Sequence, residues 1–146
     1  KTYLAFVEGH PDPAEGLIES YLAENEARRV FETKDKRKGK LSQTRYKVIK
    51  EVGDRALMEI NLLTGRKNQI RVHLADKGWP IVGDSKYGRK IRDCKRLALH
   101  SQILTFDHPF SGKRMTFKAP VPATFYSMAA APKPEPPKKD SGKKRR

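Results

Sequence analysis

The chain is poor in cysteine, with Cys94 the single one among 146 residues. It cannot form a disulfide bond within the chain, and the sequence has no C-x-x-C pair or His/Cys spacing typical of a metal site. This scarcity favours a reducing compartment, so we expect a cytoplasmic protein. A catalytic thiol is disfavoured, because nothing beside Cys94 in the sequence would serve as its base.

Long apolar stretches are also missing. No run approaches the roughly 18 apolar residues that a membrane-spanning helix needs, and no signal-peptide pattern is present. We therefore expect no association with a membrane. The chain begins at Lys1, without an initiator Met, and goes straight into strand-like sequence, so we expect a fragment whose N-terminal part is missing.

Acidic residues are few relative to basic ones. The 17 Asp and Glu face 32 Lys and Arg, which gives a formal net charge of +15. Nucleic acid is the expected partner for such a surplus, because neutralisation of phosphates by Lys and Arg drives association. The alternative is a basic tail on a protein of another kind. With 36% hydrophobic residues, the chain is long enough for one domain with a modest core.

Two segments carry dense positive charge. Residues 34–40 (K-D-K-R-K-G-K) hold five cations and one anion and are typical of a flexible loop. There, Lys36, Arg37 and Lys38 are candidates for contact with a nucleic-acid backbone, and a solvated loop without a role is the alternative. From residue 132 the composition shifts to Pro, Lys and Arg, which predicts disorder. We assign residues 1–128 to the domain and 129–146 to a disordered basic tail.

Alternating apolar residues predict several strands. They lie at residues 2–7, 42–51, 55–63, 97–106 and 115–119. The first strand has apolar residues on both faces and is expected to be buried on both, and the second and third form a hairpin whose Gly53 suits a type II′ turn. Residues 16–26 stay ambiguous, because their apolar spacing is helical although the segment is short and begins with Gly.

A helix is predicted at residues 66–77, where Gly78 closes it at the position after the C-cap. Ile70 and Leu74 are four residues apart and give its core face, while Arg66, Gln69 and His73 follow a different stripe.

The most informative stretch is residues 62–88, which reads L-L-T-G-R-K-N-Q-I-R-V-H-L-A-D-K-G-W-P-I-V-G-D-S-K-Y-G. Polar side chains crowd the point where a strand ends and a helix begins. At such a junction, backbone N–H groups and the helix dipole favour an anion. Arg66, Lys67 and Asn68 are therefore candidates for binding the phosphates of a nucleic-acid backbone.

The same stretch resembles the Arg-containing signature of the RluA/RluD-type pseudouridine synthases. Residues 1–9 (K-T-Y-L-A-F-V-E-G) resemble the second motif of that family, and the runs H-P-D-P-A-E-G, L-H-S-Q-I-L-T-F-D-H-P and M-T-F-K-A-P also match in order. The resemblance covers nearly everything before the tail. It implies an α/β (α+β) fold, a partial domain with a mixed, largely antiparallel sheet and flanking helices.

The resemblance also implies a reaction, the isomerisation of uridine to pseudouridine in RNA. The family detaches uracil from its ribose and reattaches it through carbon 5, with one essential aspartate, no metal and no cofactor. That aspartate belongs to a first motif, H-R-L-D-R or similar, which this sequence does not contain. We therefore expect the chain alone to be inactive.

Two residues correspond to catalytic positions of the family. Arg71 matches the arginine that pairs with the catalytic aspartate, and a guanidinium beside a carboxylate keeps it ionised and oriented. Tyr3 matches the tyrosine that stacks on the target base, whose hydroxyl can act as acid or base. The alternatives are a surface arginine on a helix and a half-buried tyrosine on a strand.

Other polar residues of the motifs receive structural interpretations. Many relatives have His where this chain has Asn68, so Asn68 is given no part in proton transfer. Asp84 is expected to be structural, Tyr87 and the following glycine to form a turn, and His73 and His100 to be packed and hydrogen-bonded.

We expect a monomeric, C-terminal portion of a pseudouridine synthase, acting on ribosomal RNA ahead of transfer RNA because a basic tail suits a large RNA. The alternative is a non-catalytic, ribosome-associated RNA-binding module, which the missing first motif favours. The DNA upstream of the first codon would separate the two. An in-frame H-R-L-D supports the enzyme, and a start codon supports the binding module.

Overall fold

The computed structural model describes residues 1–88, 96–121 and 125. Cys94 and the tail predicted at residues 129–146 lie outside the described residues. The elements, in chain order, are β1 (Thr2–Glu8), β2 (Glu15–Glu24), β3 (Val30–Thr33), β4 (Lys40–Val52), β5 (Arg55–Leu62), α1 (Gln69–Asp76), β6 (Leu99–Asp107) and β7 (Arg114–Lys118).

The seven strands form one sheet in the order β3-β2-β4-β5-β1-β6-β7. Every pairing between these strands is antiparallel, so the predicted α+β class with a largely antiparallel sheet is confirmed. The strands predicted at residues 2–7, 97–106 and 115–119 are present as β1, β6 and β7. Their observed bounds lie within two residues of the predicted ones.

Strand β1 is buried on both faces, as predicted, and it lies between β5 and β6 in the interior of the sheet. Successive side chains of a strand point to opposite faces. Leu4 and Phe6 therefore face one side, where the Phe6 and Phe125 ring centroids are 4.9 Å apart. Ala5 and Val7 face the other, and all four are at most 5% exposed.

The ambiguous segment at residues 16–26 is the strand β2. It pairs with β4 over eight positions, from Glu15 opposite Lys47 to Leu22 opposite Lys40. Ile18 and Leu22 are buried, and their spacing of four suited a helix. Because four is also an even number, the same two residues share a face in a strand.

The hairpin of β4 and β5 turns at Gly53, whose φ of 56° is the left-handed value that the first loop residue of a type II′ turn requires. The prediction of this hairpin is confirmed. Residues on alternate positions of both strands, among them Thr44 and Met58, are fully buried under α1.

Helix α1 begins three residues later than predicted, at Gln69, and ends at Asp76. Its end follows the prediction. Gly78 has a φ of 86°, the Gly78 N–H donates to the carbonyl of Ala75 and the Trp79 N–H donates to that of Leu74. These two bonds form a Schellman motif, which satisfies the last carbonyls of the helix. None of the helices among residues 1–88, 96–121 and 125 is long and apolar enough to cross a membrane.

Candidate active site and RNA-binding surface

Tyr3 and Arg71 line one cleft, although they lie 68 residues apart in the sequence. Tyr3 is opposite the buried Ile60 in the register of β1 with β5, so its side chain points to the face on which α1 packs. The cleft has a volume of about 180 Å³. It is lined by Tyr3, Leu62, Arg66, Asn68, Gln69, Ile70, Arg71 and Leu99. Four of the residues predicted for the site are therefore brought together.

Arg71 forms a two-pronged ion pair with Asp84. Its Nε donates to Oδ2 at 3.0 Å and its Nη2 donates to Oδ1 at 2.8 Å. The carboxylate also accepts the backbone N–H groups of Lys86 at 3.1 Å and Tyr87 at 3.0 Å. The side chain of Asp84 is fully buried, while that of Arg71 is 23% exposed. The expected structural role of Asp84 thus takes the specific form of an anchor for Arg71.

The pair is ionised. Burial by itself would raise the pKa of Asp84, but the hydrogen bonds from Arg71 and from the two backbone N–H groups outweigh it and hold that pKa below its usual value. The hydrogen bond to Asp84, against the opposing effect of burial, raises the pKa of Arg71. Asp84 cannot serve as a nucleophile, because both its oxygens are bonded and no solvent reaches them.

The guanidinium of Arg71 keeps one nitrogen for another partner. Nε and Nη2 face Asp84, and Nη1 makes no hydrogen bond to any residue among 1–88, 96–121 and 125. A guanidinium has donors on two edges of one plane. The edge that does not meet Asp84 can therefore meet a second carboxylate.

Gln69 connects the start of α1 to the sheet and was not predicted to matter. Its Oε1 accepts the Thr64 hydroxyl at 2.7 Å and the Arg66 N–H at 3.0 Å. Its Nε2 donates to the Gln43 carbonyl at 2.9 Å and the Thr44 hydroxyl at 2.8 Å. All four capacities of a buried amide are used, which fixes the junction that carries the cationic residues.

His73 is a packed histidine, as expected. It is 1% exposed, and its ring nitrogens lie 2.8 Å from the hydroxyls of Ser20 and Thr44. Burial, with a smaller contribution from Lys77, lowers its pKa to about 4. Because His73 and Gln69 both bond to Thr44 of β4, this stripe of the helix faces the sheet.

His100 lies beside the Ala119 carbonyl, with 3.3 Å from its Nε2 to that oxygen.

The junction before α1 has a different backbone from the predicted one. Arg66 and Lys67 precede the helix, and Asn68 is its N-cap residue in left-handed conformation, with a φ of 54° and no capping hydrogen bond from its side chain. Lys67 pairs with Glu24 at 2.8 Å, so its charge is partly compensated. Arg66 is exposed, with its Nε 3.2 Å from the Leu41 carbonyl.

Two of the three loop cations, Lys36 and Lys38, lie on opposite faces of the sheet. Lys38 lines a second cavity of about 180 Å³ on the α1 face. The residues around it are Leu22, Ala23, Glu24, Val30, Lys38, Lys40, Arg66 and Lys67. The Lys36 Nζ instead lies 5.6 Å from the ring centroid of Tyr21. Tyr21 follows Ser20, which contacts α1, and therefore faces the opposite side.

Arg37 is exposed, and its backbone N–H bonds to a side chain within the same loop. The Arg37 N–H donates to the Asp35 carboxylate at 2.9 Å. The structure brings Lys38, Arg66 and Lys67 together around the second cavity, and Arg66 lines the cleft as well. Lys36 is not part of that group.

Tyr87 was expected to form only a turn, and it does form one with Gly88. The Gly88 N–H donates to the Asp84 carbonyl at 3.0 Å, and a Cβ at Gly88 would lie 2.8 Å from that carbonyl oxygen. The Tyr87 ring also lies 5.2 Å from the Arg71 Cζ.

Among residues 1–88, 96–121 and 125, no three His, Cys, Asp or Glu side chains are grouped to hold a metal ion.

Comparisons with known proteins agree with these features. A family model described as RNA pseudouridylate synthase matches residues 1–76. The dual-specificity RNA pseudouridine synthase RluA of Escherichia coli (strain K12) is 41% identical over 123 residues, which cover 82% of this chain and 56% of the relative. The uncharacterized RNA pseudouridine synthase YlyB of Bacillus subtilis (strain 168) is 39% identical over 123 residues, covering 84% of this chain and 40% of the relative.

A solved structure has the same fold. Human RNA pseudouridylate synthase domain containing 1 matches with a TM-score of 0.70 and 26% identity, over 84% of this chain and 54% of that one. The chain spans about half the length of the curated relatives it matches. Since the family model matches more than half of its residues, the chain belongs to the RNA pseudouridylate synthase family.

Proposed function

We propose that the chain forms part of an RNA pseudouridine synthase, to which it contributes the tyrosine and the arginine of the catalytic site. The observation that carries the proposal is the cleft shared by Tyr3 and Arg71, with cationic residues at its rim. The target uridine would leave the RNA stack to enter the cleft, because its reacting atoms cannot be reached in a duplex.

Each of the two residues has a distinct role in this proposal. The Tyr3 ring, which lines the cleft, would stack on the uracil, and its hydroxyl would exchange a proton with the base. Arg71 holds the catalytic aspartate ionised and oriented through the guanidinium edge that does not meet Asp84. Support for this comes from the bidentate bond to Asp84, which fixes the plane of the guanidinium.

The chain alone would bind RNA without turning it over. None of the described residues that line the cleft is an aspartate or glutamate. The carboxylate beside Arg71 belongs to Asp84, which is buried and fully hydrogen-bonded. A nucleophile or base must reach the sugar, and no carboxylate on the described surface of the cleft can do so.

The RNA backbone would cross the rim of the cleft at Arg66, Lys67 and Asn68 and continue to Lys38 in the second cavity, where cations outnumber the single Glu24. Lys36 and Arg37 remain proposed contacts for flanking RNA. Ribosomal RNA is the proposed substrate, because a tail with seven cations and two anions at residues 132–146 suits a large RNA. We also propose a cytoplasmic monomer.

A non-catalytic RNA-binding module is the second candidate, favoured by the absence of carboxylates from the part of the cleft lining that the structure describes. Tritium release from RNA labelled at carbon 5 of uridine separates the two. The 146-residue chain should bind RNA and release no tritium, and the protein translated from the whole reading frame should release it. Release by the chain itself would show that our assignment of the carboxylate is wrong, and none by the whole protein would favour the binding module.

The proposed path of the RNA past the second cavity is tested by two matched single substitutions in the loop at residues 34–40. The affinity of each variant for a labelled RNA stem-loop is measured by fluorescence anisotropy. Lys38→Ala should weaken RNA binding more than Lys36→Ala, although both remove one charge from the same loop, because only Lys38 lines the cavity next to Arg66. Equal losses would mean that the loop contributes only its overall charge.

A further inference from the structure

A second group of cations lies where two turns meet on the α1 side of the sheet. Residues 25–29 form the turn between β2 and β3, and residues 84–88 form the turn after α1. The Arg29 Nη1 donates to the Lys86 carbonyl at 2.9 Å, and the Lys86 Nζ donates to the Arg28 carbonyl at 3.3 Å. Each turn thus holds the other, and the two present Arg28, Arg29 and Lys86 together.

Tyr87 is the centre of this group. Its hydroxyl accepts the Val30 N–H at 3.0 Å and lies 3.4 Å from the Asn68 Nδ2. Its ring centroid is 4.8 Å from the Arg29 Cζ and 5.4 Å from the Lys86 Nζ. Attraction to the ring offsets part of the repulsion between these cations, so they are held close together before any ligand arrives.

The backbone adds an independent sign of function. Arg28 has a φ of 59°, a left-handed conformation that Gly or Asn adopts more easily and that costs a residue with a long side chain about 1 kcal/mol or more. Its N–H donates to the Asn25 carbonyl at 2.9 Å, and Asn25 also accepts the Arg29 N–H at 2.9 Å. The turn therefore orders two consecutive arginines at its exposed end.

Among the described residues, few acidic side chains lie near these three cations. Glu24 is bonded to Lys67 and also attracts Arg28 and Lys86, and Glu26 is the acidic residue of the turn at residues 25–29. Arg28, Arg29 and Lys86 are all exposed. An anion with several oxygens, held by donors from two directions, would satisfy this surface.

We propose that Arg28, Arg29 and Lys86 form a phosphate-binding site for the RNA backbone, separate from the basic loop and adjoining the cleft through Asn68 and Arg71. The inference rests on the proposed function, because it takes RNA as the ligand. A strand whose target nucleoside is in the cleft would be held on one side at Lys38 and Arg66, and at a second point by this group. Two points of attachment would fix the direction of the strand over Tyr3 and Arg71.

The test measures the affinity of the 146-residue chain for a fluorescein-labelled RNA stem-loop with a uridine in its loop, as a function of salt. Arg29→Ala with Lys86→Ala should flatten the slope of log affinity against log salt by about 1.4 to 1.8, the value for two lost phosphate contacts. Arg45→Ala with Lys47→Ala removes the same charge from exposed positions on the opposite face and should change the slope by less than half as much.

A charge-conserving pair separates binding from folding. Arg29→Lys with Lys86→Arg keeps both charges but disturbs the hydrogen bonds between the turns, and it should retain most of the wild-type slope. If this pair loses as much as the alanine pair, the residues hold the turns together and the phosphate site is refuted. Equal changes in the alanine pair and in the control pair also refute it.

The same titration distinguishes this inference from the proposed function. Lys38→Ala with Arg66→Ala removes two cations from the second cavity. This pair should also flatten the slope of log affinity against log salt, because the proposed RNA path crosses that cavity. If that pair loses affinity and the Arg29/Lys86 alanine pair does not, only the additional phosphate site is wrong. If neither pair changes the slope, RNA does not cross this face, and the proposed interface is wrong together with the inference.

Discussion

The buried histidine of α1 predicts a specific dependence of stability on pH. His73 is 1% exposed and bonded to hydroxyls at both ring nitrogens, and burial lowers its pKa from 6.5 to about 4. In the unfolded chain it takes up a proton near pH 6.5, whereas in the folded chain it stays neutral. Below pH 6.5 the unfolded state therefore binds more protons, and stability decreases as the pH is lowered.

The magnitude follows from the two pKa values. The gap between 6.5 and about 4 corresponds to roughly 3 kcal/mol of unfolding free energy. This stability is fully present above pH 7, about 2 kcal/mol of it is lost by pH 5, and the loss is complete near pH 4. Carboxylates such as Asp84 also lose ion pairs as the pH falls, so the effect of His73 must be measured as a difference.

Urea unfolding followed by the fluorescence of Trp79, the single tryptophan, supplies that difference. His73→Gln keeps a hydrogen-bonding side chain that does not titrate, and it should be less stable than the wild type at pH 7.5. The gap between the two proteins should narrow by about 2 kcal/mol on going to pH 5. A gap that stays constant within about 0.5 kcal/mol would show that His73 is not held neutral in the folded protein.

Three further predictions follow from the site and the tail. Asp84→Asn places an amide where donors approach both oxygens, so the free energy of unfolding should fall by about 2 to 4 kcal/mol, less than for a fully buried pair because Arg71 is partly exposed; a loss under about 0.5 kcal/mol by urea unfolding would refute the anchoring role. Arg71→Lys in the whole-frame protein should abolish most tritium release with little change in RNA affinity, because lysine lacks the planar fork; near-normal turnover would remove Arg71 from the site. Deleting residues 132–146, which carry a net +5, should flatten the salt slope of RNA affinity by up to about 3 to 4 without moving the modified position; pseudouridine mapping at a new position would mean that the tail selects the target.

Most of the strands were predicted from the local spacing of their apolar residues, because that spacing fits a strand better than a helix. Strand β1 has apolar residues at consecutive positions, which fits a short strand covered on both faces. Strand β2 was left open because Ile18 and Leu22 fit both periods, and its pairing with β4 depends on contacts distant in sequence. Such contacts decide between two locally equivalent structures, and no window of the sequence contains them.

The start of α1 was predicted too early for a physical reason within the motif. The residue types at positions 66–68 are compatible with a helix. In the structure, however, the Arg66 N–H is bonded to the Gln69 side chain, and Asn68 has a left-handed backbone conformation. A side chain thus takes up a backbone donor that a helix would leave to solvent. The end of the helix was predictable because glycine tolerates the left-handed conformation that a Schellman motif requires.

The pairing of Tyr3 with Arg71 in the cleft was expected from the family motifs, but the partner of Arg71 was not. Asp84 lies 13 residues further along the chain, beyond the turn at Gly78, and periodicity does not say where a chain returns after a turn. The division of Lys36 and Lys38 between two faces has the same origin. It depends on how residues 34–39 pass from β3 across β2 to β4, which their composition does not encode.

The way in which Arg71 is held determines the side from which a second carboxylate can reach it. Asp84 takes Nε and Nη2, and the Tyr87 ring lies against the guanidinium at 5.2 Å. The edge with Nη1 is left, on a side chain that lines the cleft together with Tyr3. A carboxylate entering there would meet a fixed cation that keeps it ionised, next to an aromatic ring that can hold the uracil. Asp84 and Tyr87 would then position the reaction through Arg71, although neither is among the residues that line the cleft.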